Sequence, residues 1–461
     1  MCLFCAACAA QAASQYDAPP TLKASQTLPA EIRKGEFHEV QEYIANDGMF
    51  NMYVISSKFG EFFAPGGIML NVRLQEIQAL GELDRIGKTD IFVKSAKEAG
   101  MSQIRSIQEL SKTSAEFFES AKQEGYSATT KTVLANTQAY VGEKVDETKE
   151  QLSKVKKAAT KENAKKQWNK IKEMVGKDDE KDAKADDKAS ATPAESDEER
   201  AAKRREMIAR AKKAAAEYFG VTDAERAWAE KLHVDPYSSN VVLRKAIRQA
   251  AMIDRAGNFA MKFAPIPGIP GMKYVGKLNK IGKIVWSNTP ESLSEINRRQ
   301  LLATGATAET VEAFLNHPIY SPTLQTAFAS ALADLDGVSG RDGALEEALG
   351  METEAQARLL IETVALLAWH HQTQTPAQSL LTTMRLPLAQ TKQGGIVFLL
   401  PTDALFWTEE VAAAANGYAS SCAEMKAASR EFWTTGTASD RFKQGLAQLG
   451  WTVKERVRAE E

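Results

Sequence analysis

The sequence has few of the side chains, and none of the motifs, that commonly form enzyme and metal sites. It contains four cysteines and five histidines among 461 residues. No H-E-x-x-H pattern and no cysteine–histidine pair at zinc spacing occurs. The nucleotide motifs G-x-x-x-x-G-K-S/T and G-x-G-x-x-G after a strand are absent, as is the hydrolase motif G-x-S-x-G. We therefore expect no cofactor, no metal site and no catalytic residue of a recognisable type.

Long apolar runs and a strong net charge are also missing. A membrane-spanning helix needs ~18 consecutive apolar residues, and no stretch of the sequence approaches this length. We therefore expect no membrane-spanning helix. The formal net charge of −2 argues against a protein whose whole surface binds nucleic acid. Hydrophobic residues make up 44% of the chain, which is enough for a packed core. The length leaves room for two or three domains of ~150 residues each.

Cysteine is concentrated at the N-terminus, where Cys2, Cys5 and Cys8 lie in the sequence MCLFCAACAA. A C-x-x-C-x-x-C pattern can begin an iron–sulfur ligand set, but no fourth cysteine lies nearby. Apolar and small residues surround these cysteines instead, as at the end of a secretion signal. Cys5-Ala6-Ala7-Cys8 resembles the lipobox of bacterial lipoproteins, in which small residues precede a cysteine that receives lipid.

The resemblance covers only the first twenty residues and departs from the lipoprotein pattern at two points. Cys5 stands where leucine is usual, and no basic residue precedes the apolar stretch. The resemblance implies a lipid anchor at Cys8 and a location in the cell envelope, in the bacterial outer membrane or periplasm if translation starts upstream of Met1. S-palmitoylation of the same cysteines, and an unstructured tip on a cytoplasmic protein, are the alternatives.

The pattern along the chain predicts an α-dominant α+β fold. Residues 36–63 carry β-forming runs around an Asp-Gly pair, which predicts a small antiparallel β-meander. Apolar residues at helical spacing from Val72 to Ile86 predict a helix that covers this sheet. Residues 92–176 carry further apolar stripes. These predict long amphipathic helices or a short coiled coil, with a surface for a protein partner.

Residues 177–200 contain no large apolar side chain, and ten acidic residues against five basic ones. Such a segment buries too little surface to offset its ordering entropy, so we expect a disordered linker. Basic stretches flank it. Lysines outnumber acids over residues 144–173, and residues 201–217 form a basic predicted helix. A solvated helix face explains these lysines, and binding of nucleic acid or another anionic polymer is the alternative.

The second half of the chain carries clear helix signals. Thr222-x-x-Glu225 predicts a capping box. The Thr-Pro pair at 289–290 and the Ser-Pro pair at 321–322 each place an N-cap before a proline at the first helical position. These signals predict a helical domain.

Two patterns in this half resemble binding modules but lack an essential residue. Residues 295–315 resemble a helix–hairpin–helix DNA module, with Thr307 where its second glycine is expected. Residues 334–343 resemble a calcium loop, with Val338 in place of a ligand and Ser339 in place of the required glycine. We expect an ordinary αα-hairpin in the first case and a tight loop between helices in the second.

The end of the chain predicts a small α+β cap. Two strands flank a Gly-Gly turn, a helix follows over residues 408–432, and a final helix precedes a strand at 451–457. His370 and His371 end an apolar helix, where we expect them to ease its C-terminal dipole.

The predicted organisation has six parts. In chain order they are a lipid-anchor and tether segment 1–30, a small α+β domain 31–90, amphipathic helices 91–176, the acidic linker 177–200, a helical domain 201–390 and an α+β C-terminal cap 391–461.

Residues 263–286 contain three prolines followed by a basic, acid-free stretch. Four apolar residues share one face of the helix predicted after the prolines: Tyr274, Leu278, Ile281 and Val285. Four lysines gather on another face and a tryptophan ends the segment: Lys273, Lys277, Lys280, Lys283 and Trp286. This pattern is typical of a helix that lies on an anionic membrane surface. A core helix would use the same apolar face, so both interpretations are open.

The sequence favours a non-enzymatic, membrane-associated protein of the cell envelope with an interaction or structural role. Its expected partners are membrane lipid and a protein. A nucleic-acid or anionic-polymer binding protein is the alternative, although the low net charge disfavours nucleic acid. An enzyme without a recognisable motif is the second alternative.

Overall fold

The computed structural model describes residues 15–86, 220–254, 276–351, 353–384, 386–422, 425 and 427–457. In these residues the chain has an α+β fold with an antiparallel sheet, a group of helices and a mixed sheet. The predicted anchor at Cys8, the amphipathic helices of 91–176 and the linker of 177–200 lie outside the described residues.

The first sheet is antiparallel and has five strands within the described part of the chain. The strands are β1 Thr21–Lys23, β2 His38–Val40, β3 Tyr43–Asn46, β4 Asn51–Ser57 and β5 Gly60–Pro65. Strand β4 pairs with β5 on one side and with β3 and then β2 on the other, while β1 pairs with β3. The predicted antiparallel strands are present, and β3, β4 and β5 follow one another as a meander, whereas β2 pairs with β4. The sheet begins at Thr21, inside the segment 1–30 that we predicted as a tether, because β1 gains its hydrogen bonds from β3.

Three helices belong to this part of the fold: α1 Ala24–Thr27, α2 Ala30–Arg33 and α3 Gly66–Ile86. Helix α3 packs on β4 and β5, as its apolar spacing predicts. The buried side chains of Ile55 on the sheet and of Leu70 and Ile77 on the helix are all fully shielded from solvent. Burial of aliphatic side chains of this size contributes ~1.5–3 kcal/mol each to the free energy of unfolding.

The turn between β3 and β4 forms for local reasons. Asp47 Oδ1 accepts hydrogen bonds from the backbone N–H groups of Met49 at 2.9 Å and Phe50 at 2.7 Å. Gly48 has φ of 104°, a conformation that side chains with a Cβ rarely adopt. This confirms the predicted Asp-Gly hairpin.

Two helices that follow the undescribed residues 87–219 pack against the same core. They are α4 Asp223–Lys231 and α5 Val241–Asp254. The predicted capping box at the start of α4 is present. Trp228 of α4 and Leu243 of α5 join Leu70 in one buried cluster. The first sheet thus shares its core with residues that we assigned to the separate unit 201–390.

The centre of the described chain is helical. Its helices are α6 Gly276–Ser287, α7 Pro290–Leu302, α8 Ala308–Leu315, α9 Pro322–Ala333, α10 Arg341–Ala348 and α11 Glu354–Thr373. Thr289 and Ser321 cap α7 and α9 ahead of a proline, as predicted. Helices α7 and α8 form the expected αα-hairpin, and residues 334–340 form the expected loop between helices.

The second sheet is mixed. Its strands are β6 Ala377–Met384, β7 Leu386–Thr391, β8 Ile396–Leu400, β10 Arg430–Thr434 and β12 Thr452–Lys454, and a short pair, β9 Ala404–Leu405 with β11 Thr437–Ala438, lies beside it. Strands β6, β7 and β8 are antiparallel neighbours, whereas β10 runs parallel to both β8 and β12. Helix α12, Glu409–Ser421, connects β9 to β10, and α13, Asp440–Gln448, precedes β12.

Two predictions for this region need correction. The helix predicted over residues 408–432 ends at Ser421, and Phe432 lies in β10, where it pairs with Phe398 of β8. Strands β6 and β7 fall within the predicted helical domain 201–390, and the boundary at 390/391 passes through β7. The apolar residues of these segments are buried by strand pairing, which the helical spacing did not reveal. Among the described helices, none is long and apolar enough to cross a membrane.

The contact between α3 and Phe37 gives a direct test of the packing. A Cβ at Gly81 would lie 2.3 Å from the ring of Phe37, whose side chain is only 6% exposed. We expect Gly81→Ala to lower the free energy of unfolding by ~1–3 kcal/mol, because the overpacked ring must move. Chemical denaturation measures this change. Gly350→Ala is the control, since its Cβ would make an ordinary contact of 3.5 Å with Glu347 O. Equal stability of the two variants would contradict the packing.

Candidate functional site at the carboxyl edge of the second sheet

The parallel strands β8 and β10 end side by side at Leu400 and Thr434. In open α/β sheets, ligands bind beyond the carboxyl ends of parallel strands, where loops and helix N-termini converge. Here the loops are residues 402–408, which lead into α12, and residues 435–439, which lead into α13. We call these two loops the carboxyl edge and take them as the candidate functional site.

The N-terminal part of the same chain occupies the carboxyl edge. The turn between β3 and β4 lies against residues 402–408, with main-chain hydrogen bonds from Asp403 N to Met49 O at 3.2 Å and from Phe406 N to Gly48 O at 2.9 Å. The Asp-Gly turn that closes the hairpin therefore also docks the first sheet on the second.

Asp403 is the central polar group of this contact. Its Oδ2 accepts a hydrogen bond from Asn51 N at 2.8 Å, and its Oδ1 accepts one from Gly67 N at 2.9 Å. Gly67 is the second residue of α3, so Asp403 satisfies one of the free N–H groups at the start of that helix. Burial raises the pKa of Asp403 to about 6, against the two N–H donors that lower it, and the nearby Asp47 raises it further.

A chain of buried amides extends from Asp403 into the first sheet. Asn46 Nδ2 donates to Ala404 O at 3.1 Å and to Asn51 Oδ1 at 2.9 Å, and Asn51 Nδ2 donates to the hydroxyl of Tyr53 at 2.9 Å. Asn46 is fully buried. The Asn46 amide crosses to the second sheet at Ala404, whereas the Asn51 amide links Asn46 to Tyr53 within the first sheet.

The carboxyl edge is also tightly closed. A Cβ at Gly436 would lie 2.2 Å from Asp403 O and 2.4 Å from Thr402 O. Only glycine permits this approach of the two loops. No side chain can enter the edge at this position without moving the backbone.

Residues 15–20, which we call the N-terminal arm, contact the outer side of the carboxyl edge through Asp17. Asp17 Oδ2 accepts hydrogen bonds from Trp407 N at 2.9 Å and Ser439 Oγ at 2.7 Å, and Oδ1 lies 3.7 Å from Arg441 Nε. Asp17 N donates to Trp407 O at 2.8 Å, and Arg441 Nη1 donates to Tyr16 O at 2.6 Å. This carboxylate is partly open to solvent, with 19% of its side chain exposed.

A second polar cluster joins α3 to the helical centre. Arg73 pairs with Glu76 at 2.7 Å, and Arg358 pairs with Glu354 at 2.9 Å. Burial alone would raise the pKa of Glu354, but Arg358 and Arg73 lower it to about 2.

Asp235 is the fifth charged group of this cluster. Its Oδ1 accepts hydrogen bonds from Tyr237 N at 2.9 Å and Thr323 Oγ1 at 2.5 Å. Its Oδ2 is shielded from solvent and has no hydrogen-bond partner. Burial therefore raises the pKa of Asp235 to about 6, although its hydrogen bonds and Arg358 lower it.

The polar groups at the carboxyl edge join separate elements of the fold. Both oxygens of Asp403 and Oδ1 of Asp47 accept hydrogen bonds from main-chain N–H groups. Across the residues that the structure describes, no three histidine, cysteine, aspartate or glutamate side chains are grouped so that they could hold a metal ion.

The predicted membrane-surface residues are only partly described. Lys273 lies outside the described residues, and the side chains of Lys277 and Lys280 on α6 also lie outside them. Lys283 is exposed. Trp286 is half-buried, and its Nε1 donates to Val234 O at 2.9 Å.

The apolar face of α6 is buried where it is described. Ile281 and Val285 are each 1% exposed and belong to the core of the helical centre. The core-helix interpretation therefore describes this part of the face. The structure brings Trp286 to Val234 and His233 rather than to an open surface.

The two histidines expected to ease the helix dipole lie in the last turn of α11. His370 is 2% exposed, packs edge-on against the ring of Trp433 with centroids 4.9 Å apart, and has its pKa lowered by burial. His371 Nδ1 accepts a hydrogen bond from Ala377 N at 3.0 Å and so joins α11 to β6.

Sequence reasoning did not identify Asp17, Asp235 or Asp403. Asp403 lies between the apolar runs IVFLLPT and ALFW. A single carboxylate between apolar runs is the one local sign that this side chain binds main-chain N–H groups inside the fold. Asp17 carries no local sign, since its partners Trp407 and Ser439 are about four hundred residues away.

Comparison with known proteins gives no relative for this chain: no protein-family model, no curated protein and no solved structure matches it.

Because Oδ2 of Asp235 is shielded from solvent and has no hydrogen-bond partner, we expect the negative charge of this side chain to destabilise the folded protein. Asp235→Asn keeps the Oδ1 acceptor and removes a charge that ionises at about pH 6 in the folded state, against 3.8 for the ordinary group. A raised carboxylate pKa lowers stability as pH rises between these values. We expect the variant to be ~1–3 kcal/mol more stable than wild type at about pH 7.5, and equally stable below about pH 4. Denaturation curves across this pH range measure the difference.

Asp403→Asn is the matched control, because the pKa of Asp403 is also raised to about 6. Both of its oxygens accept main-chain N–H groups, and an amide has one acceptor oxygen, so one N–H loses its partner. The lost hydrogen bond offsets the gain from removing the charge, so we expect Asp403→Asn to be ~1–3 kcal/mol less stable than Asp235→Asn at about pH 7.5. Equal stability of the two variants, or a loss of stability by Asp235→Asn relative to wild type, would contradict the assignment.

Proposed function

We propose that this chain is a non-enzymatic, membrane-associated protein of the cell envelope, held by lipid at Cys8, whose folded part has an interaction or structural role. The docking of Asp17 at the carboxyl edge is the observation that carries the proposal furthest. Asp17 lies nine residues after Cys8, and the hydrogen bond from Trp407 N to its carboxylate fixes it at the carboxyl edge.

The position of Asp17 sets the distance between the anchor and the folded part. Nine extended residues span at most about 30 Å. A lipid on Cys8 would therefore hold the carboxyl edge within about 30 Å of the membrane, whereas a flexible tether extending to residue 30 would allow a larger separation. The partners in this proposal are membrane lipid and, through residues 92–176, a protein.

The use of polar groups supports an interaction or structural role. The two sheets are held together by hydrogen bonds of Asp403, Asn46 and Asn51. These hydrogen bonds keep the two sheets in fixed relative positions, as a protein that presents a surface to a partner requires.

Replacement of Cys8 tests the anchor. We expect the full-length protein, expressed in its native cell, to partition into the detergent phase and Cys8→Ser to stay in the aqueous phase. Mass spectrometry of the N-terminal peptide should show a lipid adduct on Cys8. Treatment with hydroxylamine distinguishes the two lipid chemistries, because it releases a palmitoyl thioester and leaves a lipoprotein thioether intact.

Cys422→Ser is the control for this experiment, because Cys422 is fully buried and cannot carry lipid in the folded protein. It should partition like wild type. An unmodified peptide spanning Met1 to Cys8 from native cells would overturn the anchor.

A further inference from the structure

The contact at Asp17 has the composition of a binding site for a carboxylate. Two hydrogen-bond donors and one cation converge on this side chain: the N–H of Trp407, the hydroxyl of Ser439 and the guanidinium of Arg441, whose Nε lies 3.7 Å from Oδ1. We call these three residues the arm site. Ser439 is also the N-cap of α13, and its Oγ accepts from Phe442 N, so its hydroxyl proton is directed to Asp17.

The arm site also binds the main chain of its occupant. Asp17 N donates to Trp407 O at 2.8 Å while Trp407 N donates to the Asp17 carboxylate, and Arg441 Nη1 donates to Tyr16 O. Two consecutive residues are thus held through one carboxylate, one N–H and one C=O. This is the set of groups that an extended peptide with an aspartate presents, and a free small anion lacks two of them.

The arm site lies at the rim of the carboxyl edge and is partly exposed to solvent. Arg441 has 41% of its side chain exposed and Asp17 has 19%. The hydrogen bonds of Asp403 to Asn51 and Gly67, and of Asn46 to Ala404, do not involve residues 16 and 17. Residues 16 and 17 can therefore leave the arm site while the two sheets stay docked.

We infer that the arm site is a binding site for an extended acidic peptide of a partner protein, and that Tyr16 and Asp17 of the chain itself occupy it in the free protein. This goes beyond the proposed function and does not depend on the lipid anchor. The partner's aspartate replaces that of Asp17, main-chain groups of the partner replace those of residues 16 and 17, and the N-terminal arm is released.

A peptide with the sequence of residues 11–20, QAASQYDAPP, carries a fluorophore and serves as the probe. The intrachain arm competes at an effective concentration in the millimolar range, so wild type should bind the probe weakly. Full-length Asp17→Ala should bind it at least tenfold more tightly than wild type does, measured by fluorescence anisotropy. The same peptide with asparagine for aspartate should bind this variant at least tenfold less tightly.

The double variant Asp17→Ala, Arg441→Gln supplies the matched control and should lose the tighter binding. Equal affinity of Asp17→Ala for the aspartate and asparagine peptides, or no binding by a variant that unfolds at the wild-type temperature, would overturn the inference.

Hydrogen exchange of the Trp407 amide tests the same point in wild type, without a variant that could misfold. The inference requires this amide to exchange by local opening, at a lower free energy than the Asn51 amide. Exchange of both amides only on global unfolding would show a fixed fold contact and would also overturn the inference.

Discussion

The arrangement of the described chain depends on one half-buried carboxylate, that of Asp403. It accepts N–H groups from Asn51 of β4 and Gly67 of α3, and it stands directly after β8 of the second sheet. A single side chain thus caps a helix, holds a strand and joins two sheets. Its burial is costly, as its raised pKa shows, and the cost is offset only while both main-chain donors stay in place. The docking geometry is therefore narrowly defined.

The docking of the first sheet on Asp403 explains why the carboxyl edge is closed. The edge where α/β proteins commonly bind ligands is filled by the turn at Gly48, by the amide of Asn46 and by Asp17. The first two are buried, and the third is on the surface. The described chain thus has the contacts of Asp403 and Asn46 at the centre of the edge and the contact of Asp17 at its rim.

Local features were predictable from the sequence and long-range ones were not. The Asp-Gly hairpin, the capping box at Thr222 and the proline-started helices form from neighbouring residues, and the structure confirms them. Residues up to Phe432 fit a helical spacing, yet pairing with β8 decides their conformation. Strand β6 was missed for the same reason. The site could not be predicted, because Asp17, Asn51 and Gly67 meet partners more than three hundred residues away.

Through Asp403, we infer, the first sheet and the second sheet unfold as one cooperative unit. Native-state hydrogen exchange of the Asn51 and Gly67 amides, the two donors to Asp403, tests this most directly. The account predicts that both exchange only when the β8 and β10 amides also exchange, with the free energy of global unfolding. Exchange of the two amides at a lower free energy, while β8 and β10 stay protected, would show that the first sheet leaves the second independently and would contradict the account.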